Sequence, residues 1–211
     1  MIHPPRAILR FMFVLVGLGN PGAEYEHTRH NTGAMVLEVF RKAEELPEWI
    51  FDEKLNALVS RGSISSLKVK GQKSIVLLKP QTFMNKSGLS IAKLARNKKF
   101  AEQLVIIHDD LDIPFGSYKI SFNKSSGGHK GVESIIRAVK TKAFTRVRVG
   151  IASSASAIKK SQDDKTVEKQ ILSRFTDDQL ATLKKLAKQI SEGLVVLITE
   201  SREKAMSQYH K

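Results

Sequence analysis

Phe13-Val-Leu-Val-Gly17-Leu-Gly19-Asn20-Pro-Gly22-Ala-Glu-Tyr25-Glu-His27-Thr-Arg-His30-Asn31 decides the fold. Phe13 to Leu18 is a continuous apolar run of strand length, ending in glycines. A polar loop follows, with an amide, Asn20, and the imidazoles of His27 and His30. Beyond it Val36, Val39, Phe40 and Ala43 recur at helical spacing, which predicts a helix over Gly33–Glu45, ended by Pro47. Strand, polar loop and helix make half of an α/β unit. Open sheets of that class hold ligands in a crevice past the carboxyl ends of their strands.

The rest of the chain repeats the alternation. Leu58–Ile64 and Ser74–Leu78 read as strands joined through Lys70-Gly71. Met84–Arg96 has helical spacing through Ile91, Ala92 and Ala95. Leu104–Ile107 is another buried apolar run, closed by His108-Asp109-Asp110. Lys119–Phe122 alternates, Val132, Ile135, Ile136 and Val139 mark a helix, and Val147, Val149 and Ile151 alternate again. Residues 152–165 are rich in Ser, Ala and Lys without periodicity and read as a mobile surface segment. Thr176 with Gln179 forms a capping-box pattern, with Asp177 and Asp178 in the first turn of a long final helix. No internal repeat and no second domain is visible. The expected fold is a single α/β domain over residues 12–200, with a mixed central sheet flanked by helices. Residues 1–11 form an N-terminal extension, unless the chain starts at Met12, and 201–211 form a C-terminal tail.

Composition narrows the partners. The chain has no cysteine, which excludes disulfides and thiolate metal sites and makes a cytoplasmic setting the default. No apolar stretch reaches membrane-spanning length, so no membrane partner is expected. The net charge is +14, from 35 basic and 21 acidic residues. Between 113 and 150 stand Lys119, Lys124, Lys130, Arg137, Lys140, Lys142, Arg146 and Arg148, against one acid, Glu133. A stretch of one sign inside a folded domain points to a polyanion partner.

Gly17-Leu-Gly19-Asn-Pro-Gly22 fits the dinucleotide fingerprint G-x-G-x-x-G only in letters. That motif needs a helix to begin within it, and here the helix begins near Gly33. His30 is the better candidate: an imidazole beside a crevice takes a proton near neutral pH. A carboxylate would orient it, and Asp109, at the end of the Leu104–Ile107 strand, is the natural partner: if both strands are parallel and central, their C-terminal ends face the same crevice. Asp110 and Asp112 are alternatives, or form a turn before Pro114. Asn85, in Lys79-Pro-Gln-Thr-Phe-Met-Asn85-Lys-Ser87-Gly88, either caps the following helix or offers its amide to a ligand. Met84 is either core filler or a soft contact surface. Ser125-Ser-Gly-Gly128-His129-Lys130-Gly131 opens a helix in the most basic part of the chain, where backbone N–H groups suit a phosphate. The absence of Cys and of a Gly-x-Ser-x-Gly elbow argues against a covalent nucleophile.

Three of these stretches, in this order and spacing, closely resemble the signatures of bacterial-type peptidyl-tRNA hydrolases. They are Gly17-Leu-Gly-Asn-Pro-Gly through Arg29-His-Asn31, Pro80-Gln-Thr-Phe-Met-Asn-Lys-Ser-Gly88, and His108-Asp-Asp-Leu-Asp112 through Gly127-Gly-His129 to Arg146-Val-Arg-Val-Gly-Ile151. Val167–Phe175 and the last helix look like that family's lid and C-terminal helix. The resemblance implies an esterase that frees peptide and tRNA from peptidyl-tRNA, with no metal or organic cofactor; a monomer is the default expectation. It implies His30 as general base, oriented by Asp109, and Asn20 and Asn85 binding the peptide main chain or ester. Tyr25, Met84 and His129 would line the cleft, and Lys119 and Arg146 would meet tRNA phosphate, with Lys124 in the same basic stretch. Two departures stand out. Lys130 replaces the asparagine usual after Gly-Gly-His, and an ammonium accepts no hydrogen bond, though it suits phosphate. Gly150-Ile-Ala152-Ser-Ser replaces the usual Gly-Ile-Gly-Arg-Pro. Two alternatives remain: a relative of the same fold that binds RNA without catalysis, and a metallohydrolase built on His30, His108 and Asp109.

Overall fold

The computed structural model describes residues 12–66, 69–95, 98–152 and 164–209. The opening apolar run is β1 (Phe13–Gly17), in the middle of a seven-stranded sheet. It lies parallel to β4 (Val69–Pro80) on one side and β5 (Leu104–Pro114) on the other. Outside β4 run β3 (Ala57–Ser66) and the edge strand β2 (Ile50–Asp52), both antiparallel. Outside β5 come β7 (Thr145–Ala152), parallel, and β6 (Tyr118–Phe122), antiparallel. The sheet is therefore mixed, as its sequence alternation predicts.

Each face of the sheet buries one side of the alternation. Leu15, Leu77, Val105, Ile107, Val147 and Val149 pack with α1 (Thr32–Ala43) and α5 (Asp177–Thr199). Val14, Val16, Val76, Leu78 and Ile106 pack with α2 (Gly88–Ala92) and α3 (Lys130–Val139). These side chains are essentially fully buried, each contributing roughly 1.5–3 kcal/mol relative to exposure. The helix starts are stitched to the strand ends. Leu18 N–H donates to the Ile107 carbonyl at 3.0 Å, and Ala34 N–H to the Leu18 carbonyl at 2.9 Å. Gly33 permits this approach: a Cβ there would sit 2.1 Å from the Ile107 oxygen.

Three elements differ from their sequence expectation. The helix expected over Met84–Arg96 is a 3-10 turn, Met84–Lys86, followed by the short α2; its first residue, Gly88, lies so close to α3 that a Cβ there would meet the Ser134 carbonyl at 2.2 Å. The Leu104–Ile107 strand runs on to Pro114, because β7 continues to pair with it after β1 has ended. The expected tail contains α6 (Arg202–Gln208), which buries Ala205 and sets Tyr209 against Gly193 of α5. The segment read as mobile, 152–165, lies mostly outside the described residues. Its first residue closes β7, and its last two open α4 (Asp164–Leu172).

Candidate active site

β1 stops pairing with β5 at Gly17 opposite Ile107, so His108, Asp109 and Asp110 continue along β7 alone. No strand then separates the two faces of the sheet. His30, delivered by the turn Arg29–Asn31 before α1, and His129, delivered by the start of α3, meet on one carboxylate. Both Asp109 oxygens lie 3.0 Å from His30 Nδ1, and Oδ1 also lies 3.0 Å from His129 Nε2. Asp109 is the expected orienting carboxylate by contact. Asp110 instead accepts from Arg148 Nε at 2.6 Å, and Asp112 is exposed.

The hydrogen bonds fix two tautomers. His129 Nδ1 accepts from the Gly131 and Val132 N–H groups at 3.2 and 3.3 Å, as N-cap of α3. Its proton therefore sits on Nε2 and is donated to Asp109. His108 Nδ1 donates to the Asp109 carbonyl at 2.7 Å, which leaves its Nε2 as a buried lone pair without a partner. Burial, then the nearby His129 and Arg146, push His108 well below the ordinary imidazole range, so it is neutral. At Asp109 burial works to raise the pKa. The charge and hydrogen bonds of His30 and His129 outweigh it and hold the carboxyl well below the usual carboxylate range. The three imidazoles form a row, with ring centroids 5.0 Å apart for His30 and His129 and 4.7 Å for His108 and His129.

Asn20 ties the His30 turn to the Met84–Lys86 turn. Its Oδ1 accepts from the Met84 N–H at 2.8 Å, so its Nδ2 donors are the free end. Asn31, which the sequence did not single out, grips the backbone of Asn20 at both groups: Asn20 N–H to Oδ1 at 2.8 Å, and Nδ2 to the Asn20 carbonyl at 2.9 Å. Tyr25 is half-buried, edge-on to the exposed Phe83 at 6.4 Å. Asn85 is exposed in its 3-10 turn and makes no cap; the residue before α2 is Ser87, also without a side-chain cap.

Two expectations need correction. The Met84 side chain does not line the cleft. It is buried in the α2–α3 core, close against Gly131, and only its backbone reaches the site. Arg146 is not a surface contact for phosphate: it is 3% exposed, between buried Ile106 on β5 and buried Ser121 on β6. Burial and the neighbouring Arg148, against the pull of Asp110, bring its pKa down to about 10. Arg148 is the partly accessible arginine, in register with exposed Lys119 across β6 and β7. Lys124 and Lys130 are exposed.

Among the described residues, one group has metal-ligand character: His30, Asp109 and His129, with ligand atoms within 4.8 Å of one another. His108 is not in it, because its ring is spent on the Asp109 backbone. The tautomers argue against a cation. His129 Nε2 carries the proton that bonds Asp109, and freeing that nitrogen would break the α3 cap.

The sequence matches the family model described as Peptidyl-tRNA hydrolase over residues 14–211. A peptidyl-tRNA hydrolase from Thermodesulfovibrio yellowstonii is 39% identical over 203 residues, covering 95% of this chain and all of that one. One from Aquifex aeolicus is 39% identical over 194 residues, 92% of this chain and 93% of its own length. In a crystal structure, peptidyl-tRNA hydrolase from Acinetobacter baumannii superposes with a TM-score of 0.79 at 26% identity, covering 93% of each chain.

Proposed function

The chain belongs to the peptidyl-tRNA hydrolase family, and from that premise we propose that it cleaves the ester between the peptide and the terminal ribose of peptidyl-tRNA by a water that His30 activates. The carrying observation is the His30–Asp109 pair, buried and bonded at 3.0 Å. Nδ1–H of His30 is spent on Asp109, so Nε2 is the lone pair that takes a proton from water. The hydroxide attacks the ester carbonyl carbon, and the Asn20 Nδ2 donors stand ready for the oxyanion that develops. When the C–O bond to the ribose breaks, the imidazolium returns its proton to the ribose oxygen. The products are a peptide carboxylate and a tRNA 3′ end. Asp109, ionised throughout, stabilises the imidazolium.

His129 holds Asp109 from the other side, and Tyr25 and Asn85 line the approach of the peptide. Lys119 and Lys124 meet tRNA phosphate, with Lys130 at the start of α3 between phosphate and site. Arg148 takes the place expected of Arg146. The chemistry calls on no metal or organic cofactor. The protein works as a monomer in the cytoplasm; no helix among the described residues is long and apolar enough to cross a membrane. A relative that only binds RNA is not favoured, because base, orienting carboxylate and amide donor are all present and assembled.

The test is release of N-acetylated amino acid from N-acetyl-aminoacyl-tRNA with EDTA present, beside His30→Ala. Turnover should survive the chelator and fall at least ~10²-fold in the variant, with tRNA binding little changed. A His30→Ala enzyme of near-full activity would remove His30 from the mechanism, and loss of turnover with EDTA would restore the metal alternative.

A further inference from the structure

The turn that carries His30 is fastened by a second set of contacts that does not involve Asp109. Residues 27–29 run antiparallel to 173–175, the junction between α4 and α5. Arg29 N–H donates to the Ser173 carbonyl at 3.0 Å, Phe175 N–H to the His27 carbonyl at 3.0 Å, and Thr28 bridges Arg174. The Arg29 side chain repeats the tie. Its Nε donates to Ser173 Oγ at 3.1 Å and its Nη2 to Gln179 Oε1 at 3.1 Å, while the guanidinium lies 4.6 Å from the centre of the Phe175 ring. Gln179 Oε1 is also the oxygen that accepts from Thr176 N–H in the capping box of α5. Arg29 is thereby plugged into the start of the longest helix.

An arginine next to the site of a tRNA-acting enzyme invites assignment as a phosphate ligand. Its geometry opposes that. Nε and Nη2 are engaged, and Nη1 is buried without a partner. No carboxylate among the described residues pairs with it, so its placement serves shape rather than charge neutralisation. A planar fork that spans two acceptors and stacks on a ring is what arginine does and lysine does not.

We propose that Arg29 is a positioning residue, which sets His30 against Asp109 by locking the His30 turn to the α4–α5 junction. This rests on His30 being the base. A displacement of about 1 Å at a reacting group costs up to ~10²-fold in rate, so a latch one residue away has leverage on turnover and little on affinity.

The experiment measures kcat, KM and melting temperature on N-acetyl-aminoacyl-tRNA for Arg29→Met, Arg29→Lys, Gln179→Ala and the Arg29→Met/Gln179→Ala double variant, with His30→Ala alongside. Arg29→Met should lower kcat at least ~10-fold with KM within ~3-fold of wild type and an unchanged salt dependence of KM. Arg29→Lys should restore little. Gln179→Ala should give a smaller fall in kcat, and the double variant should be no slower than Arg29→Met alone, because both remove one contact. Should Arg29→Met fail to fold, Gln179→Ala carries the test. Unchanged kcat in both single variants overturns the proposal. A raised KM with a shallower salt slope, rescued by lysine, overturns it in favour of a phosphate contact. An inactive His30→Ala beside a fully active Arg29→Met removes only this inference, whereas an active His30→Ala removes the base assignment itself.

Discussion

His108 shows how a single residue can be read against its protonation. It is completely buried, donates to the Asp109 carbonyl and keeps a lone pair on the inside. Its folded pKa is depressed, while in the unfolded chain it titrates near ~6.5. Below that value the unfolded state binds a proton that the folded state refuses. Stability therefore falls as the pH drops below ~6.5, with a slope approaching about 1.4 kcal/mol per pH unit, and is undisturbed above it. Asp109 begins to act at lower pH. Its folded pKa is also depressed, so its contribution is present above ~3.9 and is lost only as the pH falls further. His108→Phe should flatten the fall in melting temperature as the pH drops below about 6.5. Equal slopes for variant and wild type across the upper window would mean that His108 is protonated inside the fold, contrary to its environment.

At the scale of elements, the tight seating of α1 on the strand ends is what brings His30 over Asp109. A methyl group at Gly33 would lie 2.1 Å from the Ile107 carbonyl oxygen and 2.6 Å from the Leu18 nitrogen, both backbone. At Gly131, in the first turn of α3, the nearest atom is the Met84 sulfur at 2.4 Å, the far end of a flexible side chain. Both changes gain the same helix propensity, so the collision decides. Gly33→Ala should cost about 3 kcal/mol or more in denaturant unfolding, with activity lost alongside, and Gly131→Ala should stay within about 1 kcal/mol. Similar costs at the two positions would mean that α1 can slide on the sheet and does not fix His30. The same elements show what the sequence can and cannot say. Apolar period made β1, α1, α3 and the face of β7 toward α5 legible, because each repeats within a few residues. Two strand ends expected at one crevice brought His30 and Asp109 together, and the three signatures agreed. What stayed hidden was made by contacts between distant residues, which leave no local period: Asn20 on Met84, Asn31 on Asn20, Arg29 on Ser173. The extension of β5 depended on β7. Arg146 and Arg148 alternate alike, so only the burial of Ile106 and Ser121 beside Arg146 tells them apart.

The whole molecule carries +14 formal charges, yet they are not equally available to a polyanion. Arg41 is buried among Glu38, Glu48 and the Leu46 carbonyl, Arg148 is held by Asp110, Arg137 faces Glu133, and Arg146 is inside. Lys119 on β6, Lys124 after it and Lys130 at the start of α3 are exposed, along the chain that leads from the sheet edge to His129. Binding of tRNA there releases counterions, so the logarithm of affinity falls linearly with the logarithm of salt concentration. Lys119→Ala and Lys124→Ala should each reduce the magnitude of that slope by about 0.7–0.9, the share of one phosphate contact. Arg146→Met should leave the slope alone. Because it removes a buried charge that forms no ion pair with a carboxylate among the described residues, it should also leave stability equal or higher. The pair of outcomes separates a charge that meets the ligand from one that merely counts toward the total. If Arg146→Met lost a full unit of slope while Lys119→Ala lost none, the tRNA would lie across the opposite part of β7, and Arg146 would have to leave the interior to reach it.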